Sequence, residues 1–261
     1  MHLAILIGHF PPGSFGGAEL QAEGWAKRLA DRHQVTVITR RDPPSQPSRE
    51  ERDGYQVVRL PVSRLPLWRT FADAVAIERA IRALDPEPDL LLCFQTFVSG
   101  LVGVRLQRAT GIPAVVWIRG EAEYRFATSR VHRLLSPRIW REAAGVLVQS
   151  EENRVELLKA LEDHAPAVSA VVRAKLGVVP NGLDLPDGPF VGGEGILSVG
   201  RLIRDKGMDT VLDAAAGLGI PVTIAGDGPE RAALEARANG HSLAARFEGF
   251  ASRARLDQLY R

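Results

Sequence analysis

The 261-residue chain holds one cysteine, Cys93, so no disulfide framework and no cysteine metal cluster can be built from it. Cys93 sits in the apolar run "LLLCF", where it reads as a small hydrophobe on a strand. The histidines His2, His9, His33, His132, His164 and His241 show no metal-ligand spacing, and His9 alone falls near an expected cleft. No apolar run approaches the roughly twenty residues of a membrane span. The opening "LAILIG" is short for a signal peptide and has no basic segment before it. These absences point to a cytoplasmic soluble protein, with peripheral contact at the inner face of a membrane left open. Excess charge is scarce as well: 33 Lys and Arg against 31 Asp and Glu leave +2, which gives no reason to expect a nucleic-acid partner. Any polyanion site must be local. Neither a P-loop nor Gly-x-Gly-x-x-Gly occurs, because Arg231 takes the third glycine position after Gly226 and Gly228.

What is present is an alternation of short apolar runs and amphipathic stretches. Strands are expected at Leu3 to Ile7, Val35 to Thr39, Gln56 to Leu60, Leu90 to Phe94, Ala114 to Ile118, Val146 to Gln149 and Gly177 to Val179. Helices are expected at Ala18 to Ala30, Phe71 to Leu84 and Glu151 to Leu161. Strands apolar on both faces argue for a parallel sheet between helices. The stretch "RRDPPSQPSRE", residues 40–50, reads as a mobile loop. A stretch dense in Pro, Gly and Asp, residues 181–195, reads as a linker between a domain at 1–180 and a second at 196–261. The second has strands at Ile196 to Val199, Val222 to Ala225 and Arg246 to Glu248, with helices near Met208 to Ala216, Pro229 to Ala238 and Ala251 to Tyr260. Three strands are few for a doubly wound sheet, so this domain reads as incomplete, with an unpaired sheet edge.

The stretch "ILSVGRLIRDKG", residues 196–207, carries the chemistry. Arg201 and Lys206 follow a strand's carboxyl end, where ligands of open α/β sheets bind, and a helix beginning near Gly207 adds its positive end. Arginine offers a fork and lysine a point charge, so the pair suits a diphosphate; the alternative is two solvated loop cations. Gly16-Gly17 precede a helix and offer bare backbone N–H groups to a phosphate, or make a plain turn. Glu19, in the first turn of that helix, reads as a helix-dipole partner. Asp227 reads as a cap for the helix near Pro229, and Asn181-Gly182 as a structural turn.

The pieces "ILSVGRLIRDKGMDTVLDAAAGL", "VTIAGDGPERAALEARA", "RFEGFASRARLDQLY", "VVPNGLD" and "FPPGSFGGAELQAEGWAKRLADRHQVTVIT" together resemble a family 4 glycosyltransferase. The resemblance implies a GT-B architecture, two Rossmann-like doubly wound domains facing across a cleft. It implies transfer of a sugar from a nucleotide diphosphate sugar, with retention and without a metal or other cofactor, to a glycan or lipid-linked acceptor. On it, Arg201 and Lys206 stabilise the leaving diphosphate, Gly16 and Gly17 approach the donor, and Gly226 and Gly228 shape a loop that frames the nucleotide. Many family members have a histidine near position 119, contacting the transferred sugar. Here "WIRGEAEYRF" supplies Arg119, Gly120 and Glu121 instead. Arg119 and Glu121 are then candidates for a contact to the acceptor or the sugar; Arg119 has two readings, a contact for an acidic acceptor or phosphate, or an ion pair with Glu121 or Glu123. Arg125, Arg130, Arg133, Arg138 and Arg141 form either a membrane-facing basic stretch or a solvated helix face. The family continues past the point matching Tyr260 with two glutamates eight positions apart, the second on the nucleotide ribose. The resemblance therefore makes the chain an amino-terminal portion, and two rivals follow: a non-catalytic binding protein, and a sugar-nucleotide epimerase of the same fold.

Overall fold

Runs apolar on both faces build two sheets. The structure, a computed structural model, describes residues 1–12, 16–61, 69–124, 126, 129–182 and 193–260. The chain divides into two units, Met1–Asp184 and Leu185–Arg261. The first contains β1 (His2–Leu6), β2 (Gln34–Arg41), β3 (Arg49–Arg52), β4 (Tyr55–Pro61), β5 (Leu90–Phe94), β6 (Ala114–Trp117), β7 (Gly145–Val148) and β8 (Leu176–Val178). They form one sheet in the order β3-β4-β2-β1-β5-β6-β7-β8, parallel except for the β3–β4 pair. Its helices are α1 (Gly17–Ala30), α2 (Arg69–Arg82), α3 (Leu101–Thr110), α4 (Arg130–Glu142), α5 (Glu151–His164) and α6 (Pro166–Arg173).

The two-residue period of a strand sends alternate side chains to opposite faces. Ala4 and Leu6 join a core with Cys93, Val116 and Val146, which α3, α5 and α6 cover with Leu106, Leu161 and Val172. Leu3 and Ile5 join the other face with Val35, Val37 and Trp117, covered by Ala22 and Ala26 of α1, one turn apart. Ile5 and Leu6 are fully buried; each such side chain contributes about 1.5–3 kcal/mol. Ser129 and Ser150 accept hydrogen bonds from His132 N and Asn153 N and so start α4 and α5, each cap contributing about 1 kcal/mol.

The structure departs from the sequence reading in three places. The stretch 40–50 enters the sheet at both ends: β2 runs to Arg41, β3 begins at Arg49, and Gln46 between them is buried. "REER" escapes notice because an edge strand needs no apolar alternation. Helices α3 and α6 were not expected, and α6 starts on a proline at its first turn, where the missing N–H costs nothing. Between β5 and α3 the chain passes through a π-turn, Thr96–Gly100, in which Val98 holds φ 60° and ψ −69°. Gln95 before it sits at φ 80°. A β-branched residue at positive φ is strained backbone, held only by its surroundings.

The second unit has β9 (Ile196–Val199), β10 (Val222–Ala225) and β11 (Ala245–Gly249), with α7 (Met208–Leu218), α8 (Arg231–Gly240) and α9 (Arg253–Leu259). The strands are parallel in the order β11-β10-β9. Leu202, Met208, Leu212, Ile224 and Leu234 form its core. Residues 183–192 of the expected linker, Arg125, and the side chain of Glu121 lie outside the described residues. Among the described residues no helix is long and apolar enough to cross a membrane.

Candidate functional site

In the second unit, three loops meet at the carboxyl ends of the strands. Gly200 N donates to Ala225 O at 3.0 Å, Leu202 N to Asp227 O at 3.0 Å, and Gly226 N to Gly249 O at 2.7 Å. Glu230 N then donates back to Leu202 O at 3.1 Å. This knitting leaves no room for side chains. A Cβ on Gly226, where φ is 152°, would collide with Gly200 O, and one on Gly228 with Leu202 O. The two glycines are therefore required by the approach of the β9 and β10 loops. Asp227 does not cap α8: its Oδ1 accepts from Gly228 N at 2.8 Å, and the position before α8 is Glu230 without a side-chain cap. The other Asp227 oxygen, Oδ2, faces Arg231 Nη1 at 3.7 Å.

Buried Leu202 anchors the loop that carries Arg201, Arg204 and Lys206, all exposed. The stretch Arg204–Lys206 is a short 3-10 turn that ends on Gly207, immediately before α7. None of the three cations has a side-chain hydrogen bond or ion pair among the described residues. Elsewhere in the unit, Arg231, Arg237, Arg246 and Arg255 are each paired with a carboxylate. The loop thus carries three cations against the single carboxylate of Asp205, beside a helix amino terminus whose first turn holds Asp209, and the excess positive charge suits phosphate oxygens.

In the first unit, β2 and β5 lie on opposite sides of β1, so the topological switch point falls between β1 and β5. Gly16 and Gly17 open α1 after β1. Gly16 has ordinary extended backbone, φ −72° and ψ 166°, and a Cβ on Gly17 would meet nothing within 4 Å. The described fold does not require glycine at 17. A Cβ on Gly16 would meet only the Glu19 carboxylate, which folds back onto it. His9 is exposed in the loop after β1.

Arg119 lies two residues past β6. Sheet register pairs Phe94 with Trp117, and strand alternation puts 117 and 119 on the same side, so the guanidinium stacks 5.3 Å from the Phe94 ring and 4.8 Å from Trp117. Its Nη2 donates to Asn181 Oδ1 at 2.9 Å. Of the alternatives for Arg119, an ion pair with Glu123 is not formed by the side chain, and one with Glu121 lies outside the described residues. Glu123 instead accepts the backbone N–H of Arg119 at 2.7 Å and of Thr96 at 2.6 Å, tying the β5 and β6 loops together. Burial pushes the Glu123 carboxyl above its usual range, against these hydrogen bonds, which act the other way. Burial likewise pulls Arg119 down to about 10, with Glu123 and Glu19 opposing the shift. Asn181-Gly182 does more than turn the chain: Gly182 exchanges two hydrogen bonds with the Gln21 side chain of α1, at 2.7 and 3.0 Å. Phe94 and Thr96 carry no local motif, and only the sheet register places them near Arg119; Asn181 stands in "VVPNGLD", where nothing local points to Arg119. Among the described residues no group of three or more His, Cys, Asp or Glu could hold a metal ion.

Residues 16–182 match the family model of the glycosyl transferase 4-like domain, and residues 188–261 that of glycosyl transferases group 1. No curated protein matches the chain. A solved sucrose-phosphate synthase from Thermosynechococcus elongatus is similar at TM-score 0.75 and 18% identity, over 96% of this chain and 71% of that one. HepE from Anabaena, in complex with UDP and glucose, is similar at TM-score 0.70 and 17% identity, over 97% of this chain and 70% of that one. At such identities the likeness shows the fold, α/β of the GT-B type. The family match over 16–182, more than half of the chain, shows the rest: the protein belongs to the glycosyl transferase 4-like family and is a glycosyltransferase.

Proposed function

We propose that the protein moves a sugar, with retention and without a metal, from a nucleoside diphosphate sugar to a glycan or lipid-linked acceptor. The observation that carries this is the set of free cations after β9, in a unit where every other described arginine side chain is paired. As the anomeric carbon leaves the donor, charge grows on the departing diphosphate. Arg201 meets it with a fork and Lys206 with a point charge, preorganised by the Leu202 anchor and the helix end. The UDP and glucose in HepE support a nucleotide sugar as donor. Gly17, which the fold leaves open, and Gly16, onto which the Glu19 carboxylate folds, offer backbone N–H groups to a phosphate oxygen, and Gly226 and Gly228 let the donor loops close on each other.

A lipid-linked acceptor is supported by α4, where Val131 and Leu134, 57% and 59% exposed, sit among the exposed Arg130, Arg133, Arg138 and Arg141. Apolar side chains between cations suit an anionic membrane surface, and co-sedimentation with anionic but not neutral vesicles tests that contact.

The donor reading is tested by calorimetric titration of UDP, GDP and ADP into the protein. One of them binds the wild type, and Arg201→Ala and Lys206→Ala each weaken it about tenfold or more, since a charge-assisted hydrogen bond is worth about 1.5–3 kcal/mol. Equal affinity in wild type and double variant removes the reading. Anomeric configuration of the product by NMR and activity in EDTA test retention and metal independence.

A further inference from the structure

Arginines that support a fold are neutralised where they are buried. In the first unit Arg40 pairs with Asp73 at 2.7 Å and fully buried Arg59 with Glu50 at 3.1 Å. Arg119 breaks this pattern. Its ring stacking and the Asn181 bond hold the side chain in one place, and its Nε and Nη1, like those of Arg59, are buried with no hydrogen-bond partner; unlike Arg59, it forms no ion pair with a carboxylate among the described residues. Both oxygens of Glu123 accept backbone N–H groups from Thr96 and Arg119 itself. A desolvated cation with unpaired donors is costly to maintain without a ligand to satisfy it. Although burial pulls Arg119 down to about 10, it remains charged at neutral pH. It stands one strand from the switch point, at the carboxyl end of the sheet where α/β folds bind ligands.

We propose that Arg119 is the acceptor-specificity residue, its guanidinium, which no carboxylate neutralises, binding an oxyanion, phosphate or carboxylate, that the acceptor carries. That the ligand is an acceptor rests on the glycosyltransferase reading; that the site takes an anion does not. Glu19 is the competing charge. It acts on Arg119 electrostatically, folds onto Gly16 and has no hydrogen bond or ion pair of its own among the described residues, so an incoming oxyanion takes over its role.

The test uses the whole chain carrying Arg201→Ala and Lys206→Ala, which removes the donor cations, and titrates inorganic phosphate and, separately, acetate by calorimetry. The expected result is binding of at least one of them. Arg119→Gln weakens it about tenfold or more, through loss of charge-assisted bonds, and Glu19→Gln tightens it several-fold. Phosphate alone binding assigns a phosphorylated acceptor, acetate alone a carboxylated one, and both an oxyanion site without preference. Binding of neither anion overturns the proposal, as does unchanged affinity in Arg119→Gln with an unaltered circular dichroism spectrum. Should Arg119→Gln unfold, Glu19→Gln decides by itself, because Arg119 stays in place: weaker or unchanged binding sinks the proposal. Failure of the donor reading appears separately, as unchanged nucleotide binding in the Arg201→Ala, Lys206→Ala chain.

Discussion

The loops after β6 and β9 both deliver cations to the carboxyl end of a parallel sheet, and they do it in opposite ways. Arg119 is half-buried, stacked on two rings and held by Asn181. Arg201, Arg204 and Lys206 are exposed and unpaired among the described residues, on a loop pinned by Leu202. A rigid, desolvated cation discriminates, because a ligand that lacks the matching charge leaves it unsatisfied. A solvated group of cations captures, because its field reaches a ligand before contact and its side chains adapt afterwards. The backbone therefore bears the precision in the second unit, and the side chains bear it in the first.

On that division, the largest effect comes from the backbone of the second unit. Gly226→Val places a branched side chain against Gly200 O at a φ of 152°, between two loops locked by hydrogen bonds on either side. Strain and overpacking together cost about 3 kcal/mol or more. Urea unfolding should show the second unit melting first or failing to fold, and a variant as stable as wild type would mean that the loops have slack. Next in size is the contrast between the cations themselves. Arg201→Ala should weaken nucleotide binding and leave the unfolding free energy from urea titration within about 0.5 kcal/mol of wild type, as exposed substitutions do. Arg119→Ala should change both binding and stability, because it also strips the packing over Phe94 and Trp117. Two variants with the same stability profile would erase the distinction.

The division between backbone and side chain also explains which features are legible in the sequence. Strands apolar on both faces, such as β5 with Cys93 buried in it, fall where the periodicity puts them. So does the helix over Glu151–His164, whose Ser150 cap is local. What escapes depends on distant partners. β3 is a strand because β4 lies beside it, and nothing in "REER" says so. Asp227 has the right residue type for a cap, yet backbone geometry turns it to Gly228. Arg201 and Lys206 stand out in the sequence because their role is free charge after a strand. Arg119 stands out there only as a departure, and its clamp depends on the pairing of Phe94 with Trp117.

A smaller effect follows from Glu123, the carboxylate joining the β5 and β6 loops. Its folded-state carboxyl titrates above the unfolded 4.5, so the folded protein holds that proton more tightly than the unfolded chain does. Stability from this group is therefore greatest at low pH and is lost as pH rises from 4.5 through the folded value. Glu123→Gln cannot ionise and lacks this loss. The gap between the wild-type and Gln variants in urea midpoint should shift against the wild type as pH is raised across that window. A gap that shifts the other way would mean that the Thr96 and Arg119 amides outweigh burial.

The smallest effect on stability separates structural glycine from functional glycine. Gly17 is the first residue of α1, its Cβ position is open, and its backbone conformation demands nothing of it. Alanine there raises helix propensity, so Gly17→Ala should leave the fold unchanged or stabilise it by up to about 1 kcal/mol. The same methyl group stands in the way of a phosphate oxygen approaching the N–H groups at the start of α1. Stability unchanged or higher together with weaker nucleotide-sugar binding is the combination that only a ligand-driven glycine produces. If affinity holds while stability rises, Gly17 is a plain turn residue, and the first unit reaches its ligand through Arg119 without help from α1.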